Sequence, residues 1–187
     1  MERIKAINSE EATGKSKDLL DGVQKKLGMT PNLIGTMAQS PAVLEGYLNF
    51  SGALGGGSLP DKLREQIALV VAETNGCAYC LSAHSAVGRI LGLSQEEILD
   101  SRRGESSEGK TGAALRFARE LVTERGRVSD KDLAQVRRAG FSEGEITEII
   151  ANVALNLFTN YFNHVADTSI DFPIVPPLVE QQARQYA

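Results

Sequence analysis

Residues 60–92 read PDKLREQIALVVAETNGCAYCLSAHSAVGRILG, and this stretch decides the fold. Its first half is helical: Leu63, Ile67, Val70 and Val71 form one apolar stripe, and Ala68, Leu69 and Ala72 form a second. The helix is apolar nearly all round, so it belongs in the middle of a helical core. Glu65 shares the second face at i+3, i+4 and i+7. A carboxylate taken out of water there exchanges protons nearer neutral pH, while the plainer alternative pairs it with Lys62 or Arg64. Asn75-Gly76 breaks the helix, and a second helix opens near Cys77.

On that second helix the spacing is E-x11-C-x2-C-x3-H, running through Glu65, Cys77, Cys80 and His84. The whole chain has two cysteines and two histidines. Cys77 and Cys80 share a face at i, i+3, and His84 lies over that face one turn beyond Cys80. Mid-helix, such a pair holds its Cβ atoms about 5–6 Å apart, too far for a disulfide, which wants about 3.5–4.5 Å. At a first helical turn the backbone can adjust, and the exposed N–H groups favour thiolate. Ala83, Ala86, Val87, Ile90 and Leu91 are expected to bury the other side, with Ser82, Ser85 and Arg89 facing solvent. A dithiol, an imidazole and a carboxylate together make a redox-active thiol site with a proton relay. Tyr79 reads as a wall of the resulting cleft, and Asn160 as a possible support.

Other chemistries compete for these residues. Zinc could take Cys77, Cys80, His84 and either His164 or Glu65, but no second C-x-x-C is present. A c-type haem needs histidine directly after the second cysteine, where Leu81 stands. A thioredoxin-like site would follow a strand, and a helix precedes this one. Two buried cysteines packing as small hydrophobes is the plain structural alternative. The residues therefore predict no metal and no cofactor. His164, isolated after Asn163, reads as a surface or interface residue.

Around the motif the chain is helix after helix. The pattern predicts helices near 10–27, 31–38, 41–54, 60–75, 78–92, 95–102, 110–125, 130–139 and 143–167, and no sheet. Thr30-Pro31 and Ser40-Pro41 look like N-cap and N1 pairs, and Gly126 and Gly140 like helix ends. Ser94-x-x-Glu97, Ser129-x-x-Asp132 and Ser142-x-x-Glu145 resemble capping boxes. Gly55-Gly56-Gly57 reads as a flexible join without the strand or lysine of a phosphate loop. The tail DFPIVPPLVE should run extended over a neighbouring surface. In the last helix Ile146, Ile149, Ile150, Val153 and Leu157, then Phe158, Tyr161 and Phe162, predict cover on most sides or a subunit contact.

The 187 residues fit one domain over 1–187: an N-terminal helical segment (1–55), a motif-bearing core (56–125), and C-terminal helices with a proline-rich tail (126–187). Net charge is −4 with no basic stripe, which argues against nucleic-acid binding. MERIKAINSEEATGKSKDLL has no apolar signal core, and no run is long enough to span a membrane. The expectation is a cytoplasmic protein, where a close cysteine pair is catalytic or metal-binding more often than a structural staple.

Glu65, Asn75-Gly76-Cys77-Ala78-Tyr79-Cys80 and Ala83-His84 resemble the alkyl hydroperoxidase D-like (AhpD-like) branch of the carboxymuconolactone decarboxylase superfamily, over about residues 58–92. Tyr79 stands where the best-described hydroperoxidase has histidine. The resemblance implies an all-α, AhpD-like helical bundle with the C-x-x-C at the start of a central helix, assembled as trimers or hexamers. It implies a peroxidase acting on (organic) hydroperoxides. Cys80 would attack the peroxide and Cys77 would resolve the sulfenic acid to a disulfide. His84 and Glu65 would relay the proton, and a lipoyl-bearing or thioredoxin-like dithiol protein would reduce the disulfide. The residues alone pull two ways: the helix dipole favours Cys77 as nucleophile, while adjacency to His84 favours Cys80. A non-enzymatic redox sensor, a lactone decarboxylase and a zinc module are the competing readings. The decarboxylase does not rely on a cysteine pair.

Overall fold

A computed structural model describes residues 2–179 of the chain. Among them the regular structure is all α-helix: α1 (Gly14–Leu27), α2 (Asn32–Met37), α3 (Pro41–Gly55), α4 (Asp61–Asn75), α5 (Ala78–Ile90), α6 (Gln95–Arg103), α7 (Gly109–Thr123), α8 (Asp130–Arg138) and α9 (Glu143–Ala166). None of these helices is long and apolar enough to cross a membrane.

Helix α4 is the axis, packing on α5, α6, α7 and α9. Its two stripes serve two cores. Leu63, Ile67, Val70 and Val71 join α7, α8 and α9 in one cluster. Leu69 and Ala72 join α1, α2, α3 and the cysteines in the other. Ile67, Leu69, Val70 and Val71 are fully buried, and burying each such side chain contributes about 1.5–3 kcal/mol.

Local chemistry sets the helix ends. All three capping boxes form: Ser94 with Glu97, Ser129 with Asp132, and Ser142 with Glu145. The shorter Asp132 still reaches the Ser129 N–H at 3.0 Å. Ser40 caps α3 with Pro41 at N1. The Thr30-Pro31 pair is shifted by one residue. Pro31 is itself the N-cap of α2, and the Asn32 N–H donates to Asp171 Oδ2 at 2.7 Å. Helix α1 begins at Gly14, because the Asn8 side chain holds Glu10 and Glu11 in a turn instead. The glycine join is not loose. Ser58 and Leu59 donate backbone N–H groups to Glu148 at 2.8 and 3.0 Å, and a Cβ on Gly57 would meet that carboxylate at 2.5 Å.

Helix α5 is rotated from its expected orientation, although Arg89 faces solvent as expected. Ser82, Ser85 and Gly88 are buried, while Val87 is on the surface and Ile90 is 84% exposed. The reason is close approach. A Cβ on Gly88 would meet Leu93 at 3.1 Å, so nothing larger than glycine fits there without a shift. Ser82 returns its hydroxyl to Ala78 O at 2.7 Å and accepts from Val175 N at 2.9 Å.

The proline-rich tail is fastened across this end of the bundle. Arg102 donates to Glu73 Oε2 at 2.7 Å and to Pro176 O at 2.8 Å, and Leu178 N donates to Glu73 Oε1 at 2.7 Å. The expected extended run is seen as far as Pro177; its last residue, Glu180, lies outside the described residues.

Candidate active site

Helix α4 ends at Gly76, which takes the left-handed conformation (φ 67°) that turns the chain into α5. Cys77 is then the N-cap of α5, and its Sγ accepts from Cys80 N at 3.3 Å. Both thiols are free, Cys77 at 1% exposure and Cys80 at 2%.

The two thiols are electrostatic opposites. Cys80 is lowered to about 7, chiefly by the hydrogen bond it accepts from the Cys77 thiol. Burial works against the charge, but His84, Asn163 and Asn160 add to the pull. Cys77 is pushed far up for the complementary reasons: it donates that bond, it is buried, and the Cys80 charge disfavours its own. One turn on, His84 Nδ1 lies 2.8 Å from Glu65 Oε2. Burial opposes the imidazolium, yet Glu65 and Cys80 outweigh it and raise His84 above its usual value. With Glu65 holding Nδ1, Nε2 is the nitrogen left for another partner. The arrangement favours a thiolate, an imidazolium and a carboxylate in sequence.

A cavity of about 280 Å³ opens onto these groups. Glu65, Cys80 and His84 line it, together with Tyr47, Tyr79 and Phe172. Cys77 lies behind Cys80 and does not line it. Tyr79 is the wall expected of it. Its hydroxyl accepts from Leu33 N at 3.2 Å, and its ring meets Phe172 edge-on at 5.8 Å. The four motif residues are thus brought to one place. His164 is not; it is exposed on α9. Among the described residues no group of three His, Cys, Asp or Glu side chains is placed to hold a metal.

Two contributors carry no motif signal or an underweighted one. Tyr47, from α3, is pushed up to about 12 by burial and then by the Cys80 and Glu65 charges, so it brings a protonated hydroxyl to the cavity. Asn163 donates Nδ2 to Cys80 Sγ at 3.3 Å. The signal for it lay in α9, where Asn152, Asn156, Asn160 and Asn163 recur at i, i+4, i+8 and i+11 and are all buried. Asparagine competes with the backbone inside helices, so four on one buried face signal a polar task.

The carboxymuconolactone decarboxylase family model matches residues 41–124, covering α3 through α7. This match supports the resemblance to the carboxymuconolactone decarboxylase superfamily. No curated protein matches it. Among solved structures it is similar to a peroxidase-related protein of Ralstonia eutropha JMP134 with an alkylhydroperoxidase AhpD core, at TM-score 0.80 and 23% identity over 91% of this chain and 92% of that one. A peroxidase-related protein from Silicibacter sp. TM1040 gives 0.78 and 24% over 89% and 92%. The debrominase Bmp8 gives 0.77 and 22% over 90% and 92%, and a variant of it is known in complex with 2,3,4-tribromopyrrole. At these identities the likeness establishes a shared fold, so the activity of this chain has to be argued from its site.

Proposed function

We propose that this protein is a thiol-dependent peroxidase that reduces organic hydroperoxides through a Cys77/Cys80 dithiol–disulfide cycle. The observation that carries the reading is the asymmetry of the thiols: Cys80 faces the cavity and favours thiolate, while Cys77 sits behind it and keeps its proton. Cys80 attacks a peroxide oxygen; the S–O bond forms, the O–O bond breaks, and the alkoxide takes a proton from His84. Glu65 stabilises the imidazolium beforehand and orients the ring for reprotonation. Cys77 then attacks the sulfenic acid, forming the disulfide and releasing water. A dithiol protein, lipoyl-bearing or thioredoxin-like, returns the pair to thiols by exchange. The peroxidase-related relatives support this reading of the shared fold.

The likeness to a debrominase, and a cavity walled by Tyr47, Tyr79 and Phe172, favour a second reading. There the Cys80 thiolate takes bromine from an aromatic carbon, the carbon takes a proton, and Cys77 displaces bromide to give the same disulfide. In either case the protein works in the cytoplasm as a homo-oligomer, a trimer or hexamer, with no nucleic-acid partner. Exposed apolar side chains on α5 and α9 (Ile90, Phe158, Tyr161, Val165) supply the contact surface.

The test is consumption of tert-butyl hydroperoxide by wild type and Cys80→Ser, with dihydrolipoamide as reductant and metal content measured on the same sample. Many turnovers in metal-free wild type, abolished in Cys80→Ser, are expected. Full turnover in Cys80→Ser would sink the assignment. One oxidation per site without turnover points to a sensor, bound zinc with inert thiols to a metal module, and bromide release from a bromopyrrole without peroxide turnover to the second reading.

A further inference from the structure

Two amide atoms beside Cys80 have no hydrogen-bond partner among the described residues, although both are buried: Asn160 Nδ2 and Asn163 Oδ1. A buried polar atom left unpaired is costly, so two at the nucleophile call for an explanation. Their orientations are set by their neighbours. Asn160 Oδ1 accepts from Asn75 Nδ2 at 2.9 Å, which leaves its Nδ2 as the free end. Asn75 is itself anchored, its Nδ2 also donating to Val71 O at 3.0 Å. Asn163 gives Nδ2 to Cys80 Sγ at 3.3 Å, which leaves its Oδ1 free. The Asn160 amide also favours the Cys80 thiolate without making a full hydrogen bond to it. One unpaired donor and one unpaired acceptor therefore flank the same sulfur, at exposures of 0% and 4% for their residues.

An S–OH group needs that pair. Its oxygen accepts one hydrogen bond and its hydrogen donates one. We propose that Asn160 and Asn163 form a holding site for the oxidised sulfur: Asn163 Nδ2 holds the Cys80 thiolate, and once oxygen is transferred, Asn160 Nδ2 donates to the new oxygen while Asn163 Oδ1 accepts from its proton. The proposal rests on the peroxidase reading for the source of the oxygen. The transfer balances as Cys80–S⁻ plus ROOH giving Cys80–SOH plus RO⁻, with His84 protonating RO⁻; sulfur loses the two electrons that the peroxide gains. Holding the sulfenic acid delays a second oxidation until Cys77 attacks.

The test uses the Cys77→Ser protein, which has a single thiol, with and without Asn163→Leu. Iodoacetamide alkylation across pH reports the thiolate. After one equivalent of tert-butyl hydroperoxide, dimedone trapping and mass spectrometry report the lifetime of Cys80–SOH. Asn163→Leu should lower the alkylation rate at pH 7 and shorten the sulfenic-acid lifetime, each about tenfold. Asn163→Asp keeps the shape but loses the N–H donor, and should lower the alkylation rate even if the leucine variant folds poorly. An unchanged alkylation midpoint in both variants overturns the hold on sulfur. An unchanged lifetime overturns the hold on oxygen. If the Cys77→Ser parent forms no sulfenic acid at all, the peroxidase reading and the oxygen half fall together, and the midpoint alone decides the hold on sulfur.

Discussion

Helices α4 and α5 adjoin in sequence and pack on each other, yet hydropathy describes one and misdescribes the other. On α4, Ile67 is fully buried, and its apolar neighbours on both stripes are buried with it. On α5, Ile90 is 84% exposed while Ser82 and Ser85 are fully buried. The difference is position. A helix surrounded on all sides has one way to satisfy an apolar sequence. A helix at the edge can turn either face inward, and here shape decided. Gly88 and the serines let Leu93, Ile98 and the tail come close, and that turn also aims Cys80 and His84 into the cavity.

Breaking the α4 side should have the larger effect. Ile67→Ala removes a side chain shared by the core of α4, α7, α8 and α9, and should lower unfolding free energy in urea by about 2–5 kcal/mol. A loss below 1 kcal/mol would mean that this stripe is not the axis of the fold. The α5 side is tested by adding bulk. Ser85→Leu would place an isobutyl group on a face where Ser85 is fully buried. It should cost about 1–3 kcal/mol, although hydropathy alone predicts a gain. A stabilised variant would show that the close approach of α5 is not what selects small residues.

The legible parts of the chain were those written in local patterns. The α4 stripes, the three capping boxes and the α3 N-cap all lie within a few residues of the atoms they satisfy. His84 stood out because the helical period places it over the cysteine face, and Glu65 because it shares an apolar face of α4. What stayed hidden depends on contacts between distant segments. Asp171 caps α2 from 139 residues away, and Glu73 holds Leu178 N from 105 residues away. Tyr47 enters the cavity from α3, whose sequence has no chemical motif. Asn163 was visible in the asparagine period of α9, but its task depends on Cys80, which lies 83 residues earlier.

The smallest folding effect belongs to Ile90, and it makes the sharpest contrast with Ile67. Both are isoleucines on the motif helices, so the same side chain is removed from two different environments, one fully buried and one 84% exposed. Ile90→Ser removes a side chain that this chain leaves in water, and should change urea stability of the dilute protein by no more than about 0.5 kcal/mol. Its effect should appear in assembly. Val87 and Ile90 on α5, and Phe158, Tyr161 and Val165 on α9, present apolar surface without a neighbour among the described residues to cover it fully. An exposed apolar face of this kind fits a contact between copies better than free solvent. Sedimentation velocity on Ile90→Ser should therefore show a shift toward smaller species at equal concentration, with the Cys80 alkylation midpoint unchanged. An unaltered distribution would remove α5 from the contact surface and leave its outward isoleucine as a tolerated exposure. A drop in stability comparable to that of Ile67→Ala would show instead that folding and assembly are one equilibrium, since a protomer that needs its partner cannot be weakened at the contact without being unfolded.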